Sequence, residues 1–188
     1  GTADSIAATT HDHVTNHVRK TYVPDGAIIS MAGKISFDRV LPLVERHFGD
    51  WKRMAPPAVP EMPATGGYHH IQVDSAQTHI AVAFESVPYN HKDYFQARGA
   101  VGILSDGMSS RLFTEIREKQ GLCYTVSASC HSIVDRGSAI AYSATSTDRA
   151  QQTLDSLLAE LNRLTSGVEQ DELDRLKAQI KSTLIMQQ

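Results

Sequence analysis

The sequence has no long hydrophobic run, no excess of positive charge and only two cysteines, and each of these features excludes a class of protein. No apolar stretch approaches the ~20 residues that a membrane-spanning helix needs, so we expect no membrane span. The 188 residues include 18 Lys and Arg against 21 Asp and Glu, a net charge of −3 that is unlike the basic face of a nucleic-acid-binding protein. With 41% hydrophobic and 21% charged residues, the composition is that of an ordinary globular protein.

The two cysteines, Cys123 and Cys130, lie in one predicted strand and are too far apart to form a disulfide. At about 3.3 Å per residue they are separated by more than ~20 Å, and their odd spacing predicts side chains on opposite faces of the strand. A disulfide requires Cα atoms within about 7 Å of each other. We therefore expect two free thiols.

Both ends of the sequence indicate a piece of a longer protein. The sequence starts at Gly1 rather than at methionine, and it stops at Gln188 within a helical pattern. We therefore expect any targeting signal to lie upstream of Gly1. Nothing in residues 1–188 identifies a cellular compartment.

A proline-rich stretch divides the chain into a short front segment and a longer back segment. Residues 52–68 contain four prolines and two adjacent glycines without any periodicity, which is typical of a linker. In front of it, residues 1–51 predict an incomplete α-β-α unit. One helix begins after Thr9 or Thr10, a second begins after Ser36, and the one strand covers residues 27–32.

The back segment, residues 69–188, predicts the order β-β-α-α-β-β-α-α. The first two strands are indicated by apolar residues that alternate at Ile71 and Val73 and again from Ile80 to Phe84. A second strand pair is predicted to turn at Asp135–Gly137. This order is typical of an α+β fold, in which helices cover one face of a largely antiparallel sheet, as in ferredoxin-like layering.

Histidines at helical spacing suggest a metal site, although the carboxylate that such a site needs is missing. His13 and His17 share one face of the first predicted helix, as a zinc-binding pair would. A catalytic His-Glu-x-x-His motif needs Glu in place of Val14, and the inverted motif needs it in place of Asn16. Because no general base accompanies the pair, the pattern favours a polar helix that is rich in histidine. Zinc binding is the alternative, and metal analysis of the purified chain tests it.

Residues 107–124 join a predicted helix to a strand through a tight turn at Gly121. Arg117 lies in the last turn of that helix, and Tyr124 lies just inside the strand. The turn would bring the guanidinium and the phenol to one rim, where both can donate hydrogen bonds to peptide carbonyls or to a developing oxyanion. The alternative is structural, with Arg117 interacting with the helix dipole and Tyr124 filling the core.

This stretch closely resembles the Ser-Ser-Arg-Leu-Phe…Arg-Glu-Lys-x-Gly-Leu-x-Tyr signature of the pitrilysin/insulinase zinc metallopeptidases, the family that includes the mitochondrial processing peptidase. Residues 77–80 resemble the start of that family's second domain, and residues 171–177 resemble its Glu-Leu-x-Arg-x-Lys helix. The resemblance implies that residues 1–51 end the first peptidase domain. It also implies that residues 69–188 form a second domain truncated at its C-terminus.

The resemblance further implies a zinc peptidase whose metal ligands lie outside this chain. In the family, zinc is held by the two histidines of His-x-x-Glu-His and by a later Glu, and these positions fall upstream of Gly1. Only Arg117 and Tyr124 carry over, as residues that bind the substrate backbone, with no catalytic or metal-binding residue in this chain. The expected function is that of the substrate-binding part of a zinc metalloendopeptidase acting on extended peptides. We expect the chain alone to be inactive.

Two alternatives to this function remain at the level of the sequence. The parent protein would be a non-catalytic partner subunit of a heteromeric processing peptidase, or the chain would be an assembly module that binds no peptide. The expected partners are a peptide substrate and either the remaining half of the peptidase or a partner subunit. Apolar residues between positions 10 and 48 also suggest a homodimer.

Overall fold

A computed structural model of the chain describes residues 1–55, 57–58 and 66–187 and contains two compact units, Gly1–His69 and His70–Gln188. The prediction of a linker at 52–68 includes residues 56 and 59–65, and for those positions it lies outside the described residues. In the described part of the chain, none of the helices has the length and apolar character needed to cross a bilayer.

The first unit contains three helices, α1 (Ala3–Ala7), α2 (His11–Thr21) and α3 (Phe37–Phe48). The Thr10 hydroxyl caps α2 by accepting the backbone N–H of His13 at 3.2 Å, which confirms where this helix begins. The strand predicted at residues 27–32 is wrong, since these residues form none. A strand exists only when its backbone pairs with another strand, and the described residues of this unit include no partner for it.

The apolar face of α3 borders an open groove rather than a packed core. The groove has a volume of about 580 Å³. Phe37, at the start of the helix, remains 74% exposed. Of the described residues in this unit, only Val23 is buried. The residues that line the groove are Ile29, Ser30, Met31, Ile35, Phe37, Val40, Leu41 and Val44.

The second unit is built on a three-stranded antiparallel sheet. Its strands are β1 (Gln77–Ser86), β2 (Cys123–Ser132) and β3 (Gly137–Ser146), in the order β1-β3-β2. Strands β2 and β3 form the predicted hairpin, and β1 pairs with β3 along its whole length, from Gln77 opposite Ser146 to Ser86 opposite Gly137.

The helices of this unit cover one face of the sheet. They are α4 (Tyr94–Ser105), a π-helix (Phe113–Lys119), α5 (Ala150–Leu164) and α6 (Gln170–Met186), and a 3₁₀ turn (Thr147–Arg149) precedes α5. The predicted α+β fold, with an antiparallel sheet and helices on one face, is thereby confirmed. The buried side chains at the centre of this core are Leu104, Leu112, Ile116, Leu122, Ala141 and Leu157.

Two details of the predicted order of strands and helices are wrong. The strand expected around Ile71 and Val73 is missing, and these side chains are 84% and 63% exposed. Their alternation satisfies the pattern of a strand, but no described strand pairs with them. The helix that follows Ser110 is largely a π-helix rather than an α-helix, so the observed order is β-α-π-β-β-α-α.

A β-bulge at Tyr124 changes the alternation of side chains along β2. Cys123 lies opposite Thr145 and Thr125 lies opposite Ala144, so Tyr124 has no counterpart on β3. Because the extra residue shifts the alternation by one, Cys123 and Cys130 lie on the same, partly buried face. The prediction of opposite faces is therefore wrong. The prediction of two free thiols is confirmed.

Candidate functional site

The structure brings the two predicted site residues, Arg117 and Tyr124, together at one end of the sheet. The guanidinium carbon of Arg117 lies 5.9 Å from the centre of the Tyr124 ring and 4.7 Å from the centre of the Phe113 ring. Both distances lie within the ~6 Å at which a cation is attracted to an aromatic face. Arg117 therefore contacts two aromatic rings. Sequence reasoning did not select Phe113, although its position four residues before Arg117 in one helix was a usable signal.

Ring contacts hold Arg117 without occupying its hydrogen-bond donors. Within the described residues its guanidinium makes cation–π contacts only, so its N–H groups have no protein acceptor. The Tyr124 side chain is 77% exposed. An arginine that is already restricted by stacking loses less conformational freedom when it binds a ligand. The pair is therefore suited to donate hydrogen bonds to a carbonyl or carboxylate oxygen from solvent.

Two local departures from regular structure place these side chains. The π-helix ends just before the turn, where the Leu122 N–H donates to the Ile116 carbonyl at 3.0 Å. Gly121 turns the chain with a φ of +59°, a conformation that glycine adopts without steric cost. The bulge then turns Tyr124 away from the buried face of β2, and both Tyr124 and Thr125 are exposed.

The turn between Arg117 and Tyr124 is fixed by hydrogen bonds from β3, the 3₁₀ turn and α5. Arg149 Nη1 donates to the Gly121 carbonyl at 2.8 Å, and the Thr145 hydroxyl donates to the Leu122 carbonyl at 2.6 Å. The Ser156 hydroxyl donates to the Gln120 side-chain carbonyl at 3.0 Å. Thr145 is only 3% exposed, so its hydrogen bond is shielded from competing water. The turn is thereby attached to the more deeply packed part of the unit.

A groove of about 480 Å³ lies beside Tyr124. Arg149 lies on its wall with a side chain that is 54% exposed. The Ser146 hydrogen bond, together with the nearby Arg149 charge, lowers the pKa of Asp148, which keeps that carboxylate ionised. Sequence reasoning did not select Arg149, because nothing in the local pattern indicates that it reaches a turn 28 residues earlier in the chain.

The histidines of α2 do not form a metal centre with other described side chains. The Nδ1 atom of His13 accepts the Thr10 backbone N–H at 3.2 Å and so completes the helix cap. No group of three or more His, Cys, Asp or Glu side chains that could hold a metal ion occurs in residues 1–55, 57–58 and 66–187. A catalytic zinc site needs three protein ligands and a base, and the described residues do not fit that requirement.

Comparison with known proteins identifies the family. Residues 8–180 match the model of the peptidase M16 inactive domain. The chain belongs to this family. A Rickettsia felis protein named as an uncharacterized zinc protease is 30% identical to this chain over 189 residues, which cover 100% of the chain and 46% of the relative. A Bacillus subtilis protein of the same description is also 30% identical, over 193 residues that cover 99% of the chain and 46% of the relative.

Solved structures share the fold of this chain. The crystal structure of a peptidase M16 inactive domain from Pseudomonas fluorescens superimposes with a TM-score of 0.84 at 25% identity, covering 96% of this chain and 45% of that one. A protease from Helicobacter pylori has a TM-score of 0.80 at 21% identity, covering 99% and 47%, and this likeness shows the fold alone. The resemblance to the pitrilysin/insulinase family is confirmed. The chain spans about half the length of the curated relatives described above.

Proposed function

We propose that this chain is the substrate-binding, non-metal-binding portion of a zinc metalloendopeptidase that hydrolyses peptide bonds in extended peptides. The observation that supports this role is the Arg117 guanidinium, which contacts the rings of Phe113 and Tyr124 while its donors have no partner in the described part of the chain. The zinc proteases among the relatives support the peptidase activity of the longer protein. In this proposal the zinc ligands belong to the remainder of that protein, and the chain alone is inactive.

The roles of Arg117 and Tyr124 follow from their donors. The guanidinium binds a backbone carbonyl of the substrate, and the phenol donates to the same or a neighbouring oxygen. Where such a donor meets the oxygen that becomes negatively charged during hydrolysis, its removal costs about 10²–10³ in kcat. Both side chains are exposed in this chain, so their effect depends on the rest of the peptidase excluding water from the site.

The remaining half of the peptidase, or a partner subunit, is the proposed protein partner. The open apolar groove beside α3 in the first unit supports this, because such a surface is usually covered in the assembled protein. A homodimer that buries the same groove remains a prediction. Sedimentation of the chain over a range of concentrations tests it, since only self-association makes the apparent mass rise with concentration.

The substrate-binding role is tested in the full-length protein with Arg117→Ala and Tyr124→Phe. We expect kcat/KM for an unstructured peptide to fall by about 10- to 1000-fold in each variant. Arg175→Ala is the matched control, because this arginine pairs with Asp171 on the surface of α6 and is expected to leave turnover unchanged. Unchanged turnover in both Arg117→Ala and Tyr124→Phe would refute the role.

The alternative functions give different results in two further measurements. A catalytic parent binds zinc stoichiometrically, whereas a non-catalytic partner subunit binds none but still loses turnover in the reconstituted complex when Arg117 is changed. Titration of the 188-residue chain with an unstructured peptide separates both from an assembly module. A substrate-binding domain binds the peptide weakly and loses it in Arg117→Ala, whereas an assembly module binds no peptide.

A further inference from the structure

We propose that the groove beside Tyr124 is a subsite for a carboxylate of the peptide substrate, bound by Arg149. The carboxylate comes from an acidic side chain or from the C-terminus of the peptide, and both sources present the same planar pair of oxygens. This inference rests on the proposed peptide-binding function and specifies which substrates that function prefers.

The composition of the groove favours an anion. Arg149 is the one charged residue on the wall of this groove among the residues that the structure describes, and no described carboxylate lines it. The neutral polar side chains that line the groove belong to Gln77, Cys123, Tyr124, Thr145 and Ser146, and those of Gln77 and Tyr124 can donate hydrogen bonds. A lysine or arginine of a peptide would be repelled here, whereas a carboxylate would find one positive charge and neutral donors.

The Arg149 guanidinium is held in position and, among the residues that the structure describes, still has donors without a partner. Nη1 donates to the Gly121 carbonyl at 2.8 Å, which fixes the plane of the group against the turn. The Thr153 hydroxyl lies 2.9 Å from the Arg149 carbonyl, so the backbone at the start of α5 is also restrained. The side chain remains 54% exposed, and one nitrogen is engaged by a hydrogen bond. A planar guanidinium with a free edge matches a carboxylate in a bidentate arrangement.

The position of Tyr124 on the same groove connects this subsite to the peptide backbone. In an extended peptide, successive residues advance by about 3.3 Å and alternate sides. A substrate whose backbone contacts Tyr124 therefore presents a side chain, or its own terminus, to the groove within one or two residues. Arg117 and Tyr124 bind the peptide backbone and therefore accept any side chain. The subsite then selects, among these peptides, those that carry a carboxylate at the right position.

Asp148 is the acidic residue that competes most directly with such a ligand. Its carboxylate lies 4.0 Å from Arg149 Nε, beyond hydrogen-bond distance, and its side chain is 78% exposed. Solvent screens the interaction between these two charges. Asp148 therefore weakens the attraction of Arg149 for an anion without cancelling it. Asp148→Asn is therefore expected to increase the affinity for a carboxylate by about two-fold.

The test compares pairs of peptides in the full-length protein. Each pair shares one unstructured sequence and differs only by Glu or Gln at one position, and a second set differs only by a free or amidated C-terminus. We expect kcat/KM to favour the carboxylate member about 5- to 10-fold, at one position or at the terminus. The two sets thereby distinguish a side-chain carboxylate from a terminal one.

Variants at Arg149 separate charge recognition from an effect on the turn. Arg149→Met removes the bond to Gly121 and will change turnover of both members of a pair, so the measured quantity is their ratio. We expect the ratio of kcat/KM for the carboxylate peptide over its neutral partner to fall to about one in Arg149→Met and to persist in part in Arg149→Lys. For a pair that differs by Lys or Gln, we expect the wild type to disfavour the Lys peptide and Arg149→Glu to favour it. Arg163→Met, a similarly exposed arginine on α5 that pairs with Glu160, is the control that keeps the wild-type ratio.

The outcomes distinguish this inference from the proposed function. A wild-type ratio of one in every pair, or a ratio that Arg149→Met leaves unchanged, would overturn the subsite even where Arg117→Ala abolishes turnover. Conversely, the Arg149 side-chain N–H resonances of the 188-residue chain report carboxylate binding directly in an NMR titration with the same peptides. A shift with the Glu peptide and none with the Gln peptide would support the subsite even if turnover proved independent of Arg117 and Tyr124.

Discussion

Arg111 and Glu172 form a bidentate ion pair that joins the start of the helical segment after Ser110 to the start of α6. Arg111 Nε and Nη2 donate to Glu172 Oε1 and Oε2, each at 2.7 Å, and the two side chains are only 5% and 13% exposed. Arg111 Nη2 also donates to the Gly167 carbonyl at 3.0 Å, and Glu172 Oε2 accepts the Glu169 N–H at 2.9 Å. Each charge is therefore offset by hydrogen bonds as well as by the other charge, while Arg111 Nη1 is buried without a partner among the described residues.

Replacing one member of this pair is expected to destabilise the domain strongly. Glu172→Gln removes the carboxylate that pairs directly with the buried Arg111 guanidinium, so we expect the free energy of unfolding to fall by about 3 kcal/mol. Urea unfolding followed by circular dichroism measures the change. The control is Asp171→Asn, which breaks an exposed pair with Arg175 on the same helix and is expected to cost less than about 1 kcal/mol. Equal losses in the two variants would show that burial adds nothing to the Arg111–Glu172 pair.

The same pair predicts how stability depends on pH. The hydrogen bond from Arg111 lowers the pKa of Glu172 from its ordinary 4.5 to about 2. Between these values the unfolded chain binds a proton that the folded chain does not, so acid favours unfolding. The stabilisation is complete above about pH 5 and is lost as the pH falls toward 2, on the order of 3 kcal/mol in all.

The measurement for this prediction is urea unfolding of the wild type and of Glu172→Gln from pH 6 to pH 3. The difference between the two proteins removes the contribution of the other carboxyl groups, which titrate in both. We expect this difference in free energy to shrink steadily below pH 5. A difference that stays constant across the range would mean that the pKa of Glu172 is not lowered in the folded state.

Local patterns in the sequence predicted the elements that depend on local chemistry. The helix cap at Thr9 or Thr10 and the hairpin around Asp135–Gly137 each follow from short-range preferences, and the structure contains a cap at Thr10 and this hairpin. The signature around Arg117 and Tyr124 also selected two side chains that do meet in space.

The features that sequence reasoning missed depend on distant partners or on a one-residue change in periodicity. Residues 27–32 and 71–73 have the apolar pattern of strands, but a pattern does not supply a pairing partner. The π-helix and the bulge at Tyr124 each add one residue to a regular repeat, and the apolar pattern around them hardly changes. The Arg149 bond to Gly121 spans 28 residues and leaves no local signal.

Two glycines of α4 provide a matched pair of substitutions against α6. A Cβ on Gly102 would lie 2.7 Å from Leu176 Cδ1, whereas a Cβ on Gly99 would lie 3.7 Å from Leu176 Cδ2. We expect Gly102→Ala to destabilise the domain by about 1–3 kcal/mol because Leu176 must move in a packed contact. Gly99→Ala makes an ordinary contact and gains helix propensity, so we expect it to be neutral or stabilising by up to about 1 kcal/mol. Thermal unfolding of both variants checks the order, and a more stable Gly102→Ala would contradict it.

Substitution of Gly121 tests whether the turn between Arg117 and Tyr124 requires a residue that adopts the left-handed backbone conformation without strain. A Cβ at this position would meet no atom within 4 Å, so the cost of a substitution comes from the φ of +59° alone. We expect Gly121→Ala to lower the free energy of unfolding by about 1 kcal/mol. Gly121→Asn should cost less, because asparagine tolerates this conformation better than other residues with a side chain. Urea unfolding gives both values.

Peptide titration of the same two variants then tests whether hydrogen bonds to the backbone of the turn keep Arg117 and Tyr124 in place. The bonds from Arg149 to Gly121 and from Thr145 to Leu122 use backbone carbonyls, which neither substitution removes. The turn should therefore keep its shape, and both variants should bind an unstructured peptide within about two-fold of the wild type while losing stability. A large loss of peptide binding in Gly121→Ala with little loss of stability would show that the turn does not keep its shape. The chain would then relieve the backbone strain by moving the turn, and these two hydrogen bonds would be too weak to fix Arg117 relative to Tyr124.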